Sequence, residues 1–123
     1  MECVQQQSAA VEIVHVPARV PAGIDRLDVL VDGVPVGDLL LRLCAPCRLG
    51  VIEHLRVDPP HRRRGLGRRL VAAAIEGRTD WTWSTTIIDP NDSARGFARA
   101  GLYPGPPVPR WCEHMAAADA LMP

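Results

Sequence analysis

The 123-residue sequence contains no lysine, and all 14 of its basic residues are arginine. Schiff-base and other lysine-dependent chemistry is therefore excluded from this chain. Aromatic residues are scarce, with three Trp, one Tyr and one Phe, too few to interleave with cations in a base-stacking surface for nucleic acid. No run approaches the roughly 18 apolar residues of a membrane-spanning helix. The opening MECVQQQSAAVE lacks the basic and apolar regions of a secretory leader, so a cytoplasmic location is expected. What is present, 47% hydrophobic and 23% charged residues in 13.4 kDa, suits one globular domain over 1–123, with 1–10 and 116–123 as frayed tails.

Net charge is zero but unevenly spread. Residues 56–69 hold Arg56, Arg62, Arg63, Arg64, Arg68 and Arg69 against Asp58 alone, a local +5 that the remainder balances with −5. One concentrated cationic segment in a neutral protein points to a local anion site rather than a coat for nucleic acid. The cysteines are Cys3, Cys44, Cys47 and Cys112, expected as reduced thiols. Cys44-Ala-Pro-Cys47 reads as a hairpin tip. Cys112-x-His114 would complete a zinc set with it in principle, but one C-x-x-C with unusual partner spacing is weak evidence, and no metal is expected.

Strands are expected over Val11–Val16, Arg26–Val31, Val34–Leu43 and Leu49–Val57, with Pro17–Gly23 a linker and Asp32-Gly33 a hairpin signal. The last three should form an antiparallel meander. Asp58-Pro-Pro60 stops the fourth strand, since proline cannot donate to a ladder. Leu66, Leu70, Ala73, Ala74 and Gly77 fall at helical spacing, predicting a helix over Leu66–Arg78. A fifth strand follows over Trp81–Ile88, then a short helix through Ala100 stopped by Gly101, and a last strand over Trp111–Met115.

The segment Leu55-Arg-Val-Asp-Pro-Pro-His-Arg-Arg-Arg-Gly-Leu-Gly-Arg-Arg-Leu70 joins a strand, a sharp turn, Arg62-x-x-Gly65-x-Gly67 and an apolar helix. Glycine allows the tight turn and lets amide N–H groups approach a ligand. The helix start adds unpaired donors and the positive end of the macrodipole, and arginines add charge-assisted bonds, together a phosphate or pyrophosphate site. There is no G-x-x-x-x-G-K-[ST], against a P-loop nucleotidase. The preceding strand ends a meander, against a Rossmann dinucleotide site.

Val57-Asp-Pro-Pro-His-Arg-Arg-Arg-Gly-Leu-Gly67 resembles the acyl-CoA-binding signature of the GCN5-related N-acetyltransferases, the GNAT superfamily, and the element order over residues 26–103 is similar. The resemblance implies an α+β fold with few helices, its mixed, mostly antiparallel sheet splayed between strands 4 and 5. It implies that acetyl-CoA, or another acyl-CoA, donates to an amine-bearing acceptor. Leu55, Arg56 and Val57 would pair with the pantetheine arm, and Arg62, Arg63, Arg64, Gly65, Leu66, Gly67 and Arg68 would take the pyrophosphate. Asn91 is similar to a helix-capping Asn beside that arm, with a plain N-cap as the other reading.

Ile52-Glu-His-Leu-Arg-Val57 is similar to an I-E-D-L-x-V version of the signature, in which the Glu helps deprotonate the acceptor. Strand alternation places Glu53 on the face of Val51, Leu55 and Val57, with His54 and Arg56 opposite. A primary amine of pKa about 10.4 lies some three units from neutral at pH 7, costing on the order of 4–5 kcal/mol, so a carboxylate in reach has work to do. The competing role for Glu53 is a structural pair with an arginine of the adjoining strand. His54 would serve as base if the strand is bulged. The family's thiolate-protonating Tyr is replaced by Phe97, leaving Tyr103, the only tyrosine, or water to give the proton. Pro17–Asp25 is too short for the helices that usually wall the acceptor pocket, so the pocket is open or completed by a second subunit in a homodimer, with Trp81, Trp83 and Trp111 as lining candidates. A non-catalytic acyl-CoA-binding module is the alternative function, and RNA binding through the arginine cluster a third.

Overall fold

The computed structural model describes residues 10–62, 64–86, 101 and 104–121. Five strands lie side by side in chain order in one sheet: β1 (Val11–Val16), β2 (Ile24–Val31), β3 (Val34–Cys44), β4 (Leu49–Val57) and β5 (Thr82–Thr85). The first four pair antiparallel and β5 runs parallel to β4. A parallel partner requires a crossover, and α1 (Leu66–Ile75) supplies it; α2 (Glu113–Ala120) lies near the C-terminus. The α+β class and the mostly antiparallel sheet are as expected.

Local chemistry explains the connections. Asp32 (φ 51°) and Gly33 (φ 82°) both occupy the left-handed region, as a two-residue type I′ hairpin demands. Residues 17–23 form a turn and not a helix, closed by a bond from the Gly23 N–H to the Val20 carbonyl at 3.1 Å. The crossover helix ends at Ile75, short of the expected Arg78. Gly77 turns left-handed at φ 75°, and the Arg78 guanidinium reaches back to the Ala74 carbonyl at 3.1 Å, satisfying an orphan acceptor of the last turn.

The sheet has two apolar layers. Leu66, Leu70, Val71 and Ala74 of α1 pack on Leu39, Leu41, Ile52, Leu55 and Val57, and on Val29 of β2. Each buried leucine or valine contributes about 1.5–3 kcal/mol by removal from water. On the other face Met115, fully buried, meets Ala22, Cys44 and Val51. This second layer corrects the expected last strand over Trp111–Met115. The segment is the approach to α2, because Ala116-Ala-Ala118 favours helix and Met115 and Ala118, three apart, bury one side. Residues 116–120, expected as a tail, are the body of that helix. Residues 87–88 of the expected fifth strand, and the short helix expected through Ala100, lie outside the described residues.

Candidate active site

The sheet opens beyond Ile52. The β4–β5 ladder runs from Leu49 opposite Thr82 to Ile52 opposite Thr85. Thr86 adds a last step: its N–H donates to the Ile52 carbonyl and its hydroxyl to the Glu53 carbonyl, each at 2.9 Å. From His54 to Val57, β4 keeps β3 as its partner and has no β5 partner among the described residues. The Asp58 N–H donates to the Val36 carbonyl on the β3 side at 2.8 Å. By alternation the backbone groups of Leu55 and Val57 therefore face the opening. The side chains of those two residues are buried under α1, while that of Arg56 is held by Asp58 and lies 3.7 Å from Asp38.

The turn after β4 folds back on this edge. Pro59–His61 forms one 3₁₀ turn, and the Arg62 Nε donates to the Val57 carbonyl at 2.9 Å. Gly65 sits left-handed at the N-cap of α1, which has no side-chain cap. A Cβ on Gly65 would meet nothing within 4 Å among the described residues, which leave the space over the first turn of the helix open. The amides of that turn are the unpaired donors an anion uses. Arg64 and Arg68 are exposed beside them, whereas Leu66 and Gly67 are buried and anchor the turn. Arg63, Asn91, Phe97 and Tyr103 lie outside the described residues.

Glu53 is the extra residue of a β-bulge. Leu40 opposes His54 and Leu41 opposes Ile52, leaving Glu53 without a partner in the register. A bulge breaks strict alternation, which corrects the expected facing: Glu53 remains on the Val51 side, and Leu55 and Val57 fall with Ile52 on the opposite, α1 side. The Glu53 carboxylate accepts from the Trp111 indole Nε1 at 3.1 Å and lies 3.6 Å from the Arg42 Nε. Arg42 has its side chain only 3% exposed, donates to Asp119 at 2.9 Å and to the Ala22 carbonyl at 3.3 Å, and stacks 4.2 Å from the Trp111 ring centroid. The pairing of Glu53 with an arginine of the neighbouring strand thus has a concrete partner. His54 is exposed on the bulged strand.

Arg42 escaped the sequence reading, although a charged residue inside Leu39-Leu-Leu-Arg-Leu43 is itself a signal, since buried charge needs partners. Of the three tryptophans only Trp111 meets Glu53. The Trp83 indole donates to the Arg78 carbonyl at 3.1 Å and covers Gly50, and Trp81 stacks with Arg78. Cys44, Cys47, Cys112 and His114, whose spacing is weak evidence for a metal, are brought together by the fold: their ligand atoms all lie within 4.8 Å of one another. Hydrogen bonding with Cys44 pushes the Cys47 thiol up to about 11. Burial raises Cys112, but the Met115 amide, His114 and the other two thiols outweigh it and bring the thiol down to about 7.

An open sheet edge running into a glycine-started helix fits the signature noted above, and the acetyltransferase (GNAT) family model matches residues 10–102. The chain belongs to the GNAT family. No curated protein matches it. Among solved structures, this GNAT chain is similar to the aminoglycoside N-acetyltransferase AAC(6′)-Iy in complex with CoA, with 14% identity, a TM-score of 0.63, and coverage of 89% of this chain and 96% of that one. It is also similar to an aminoglycoside acetyltransferase from an uncultured soil metagenomic sample in complex with sisomicin, at 24% identity and TM-score 0.52, covering 63% and 55%. The PaiA N-acetyltransferase of Thermoplasma acidophilum in complex with coenzyme A matches at 15% identity and TM-score 0.52, covering 62% and 48%. These likenesses show a shared fold. This GNAT chain spans about half the length of the metagenomic and Thermoplasma enzymes, and among its described residues no helix is long and apolar enough to cross a membrane.

Proposed function

We propose that the protein transfers an acyl group, acetyl in the first instance, from acyl-CoA to a primary amine by direct attack. The observation that carries this reading is the edge of β4 at Leu55–Val57, open toward the turn at Gly65. An extended pantetheine arm pairs with such an edge as an added strand does. The diphosphate then meets the first-turn amides of α1, with Arg64 and Arg68 beside them. Two of the similar solved structures were determined with CoA, which supports this ligand class.

The thioester would lie where β4 leaves β5, next to the bulge at Glu53. The neutral amine attacks the thioester carbon, a C–N bond forms, the C–S bond breaks, and CoA leaves as the thiol once the remaining surplus amine proton passes to its sulfur through water. Glu53 attracts the ammonium and takes its proton, directly or through water, while the indole of Trp111 holds the carboxylate in place. A main-chain N–H of the open strand stabilises the developing oxyanion. Placing thioester and amine together supplies much of the rate.

A second reading has one observation in its favour. The Glu53 carboxylate is already engaged by Trp111 and lies near Arg42, as in a non-catalytic acyl-CoA-binding module. Incubation with acetyl-CoA and a panel of amines, following free thiol, tests the two. Amine-dependent thiol release that falls in Glu53→Ala supports the transferase; CoA binding without release by any amine supports the module.

A further inference from the structure

We propose that Cys44, Cys47, Cys112 and His114 form a structural zinc site that fastens α2 to the β3–β4 hairpin. The sulfurs of Cys44, Cys47 and Cys112 lie 3.4, 3.3 and 3.9 Å from the His114 Nδ1. A tetrahedral zinc with Zn–S about 2.3 Å and Zn–N about 2.05 Å requires S···N separations of about 3.5–3.6 Å and S···S separations of about 3.8 Å. The three observed S···N distances straddle that value, and the 4.8 Å bound on the whole set leaves a contraction of about 1 Å at most.

Hydrogen bonding alone does not account for this convergence. One imidazole nitrogen offers one lone pair or one proton, and here three sulfurs surround it. A disulfide would join two of the thiols and leave the third and the imidazole without a role. The donor set selects the ion: three thiolates and an imidazole suit zinc, whereas magnesium and calcium take oxygen ligands. Four protein ligands close the coordination sphere, so the ion would be structural and not a generator of hydroxide.

The ligands come from two places the fold needs to join. Cys44 ends β3 and Cys47 follows in the turn to β4, where Arg48 adopts a left-handed φ of 54°, a conformation costing about 1–2 kcal/mol for a residue other than glycine. Cys112 and His114 flank the start of α2, whose N-cap Cys112 makes no side-chain cap bond. A helix of eight residues is marginal in water by itself. A metal at this corner anchors it and fixes Trp111, the residue before Cys112, against Glu53.

The test is metal analysis of the full chain purified without chelator, together with cobalt substitution. The wild-type protein is expected to carry about one zinc per chain, lost in a Cys47→Ser/Cys112→Ser variant. Added Co²⁺ should give the thiolate-to-cobalt charge-transfer and intense ligand-field bands of a tetrahedral site, bleached by Zn²⁺. The cobalt readout uses the wild-type chain, so it does not depend on the variant folding. Protein that holds no zinc, gives only a weak octahedral cobalt spectrum and shows no change of melting temperature with Zn²⁺ overturns the proposal. So does a Cys44–Cys47 disulfide in protein kept under reducing conditions.

Discussion

Glu53 and Trp111, 58 positions apart in the chain, are joined by a hydrogen bond from the indole Nε1 to the Oε2 at 3.1 Å. The bond ties the bulge of β4 to the segment leading into α2. It means that the proposed base is positioned by an element outside the antiparallel meander. Trp111→Phe removes the donor and keeps most of the packing. Turnover in this variant is expected to fall several-fold with little change in the KM for acetyl-CoA, measured by steady-state kinetics.

Substituting Glu53 itself probes the proton step. Glu53→Gln keeps the acceptor for Trp111 and removes the charge. Loss of a general base costs about 10²–10⁴-fold in rate, so kcat is expected to drop by that order while acetyl-CoA binding, followed by calorimetry, is retained.

Arg42 predicts a stability effect. Its guanidinium is buried and serves Asp119, the Ala22 carbonyl, the Trp111 ring and the neighbourhood of Glu53. Arg42→Met keeps much of the volume but breaks this set. Because Asp119 is itself half exposed at 55%, the loss is expected at about 2 kcal/mol, below that of a fully buried pair, and is read from the denaturation midpoint.

The turn before α1 predicts a binding effect. Gly65→Ala meets no neighbouring atom within 4 Å among the described residues, yet a φ of 75° costs a residue with a Cβ about 1–2 kcal/mol. That strain lowers stability and leaves affinity alone; binding of acetyl-CoA is expected to weaken about tenfold, or about 1.4 kcal/mol, because the added Cβ stands in the space proposed for the diphosphate. Arg64→Glu should weaken binding as well, and more at low ionic strength than at high, since exposed charge is screened by salt.

The meander was legible because its signals are local: β-branched runs, Asp32-Gly33, and prolines 59 and 60 at the strand end. The anion cradle was legible because its glycines and arginines are contiguous. Three features were not. The bulge at Glu53 arises from how β4 registers against β3, which alternation within one strand does not encode, so the face of Glu53 was misassigned relative to Leu55. The approach to α2 reads as a strand because Trp111 carries β-like weight, while Met115 and the alanines that make the segment helical come after it. The Cys44/Cys47 and Cys112/His114 pairs are separated by the 64 residues between Cys47 and Cys112, and only the packing of α2 on the hairpin brings them together.

The most direct test of the central claim is calorimetric titration of acetyl-CoA into the wild-type chain and into Gly65→Ala. One site per chain, with affinity on the order of micromolar and clearly weakened in the variant, is the expected result. No heat with acetyl-CoA, or equal affinity in the two proteins, would contradict a cofactor held between the open edge of β4 and the start of α1.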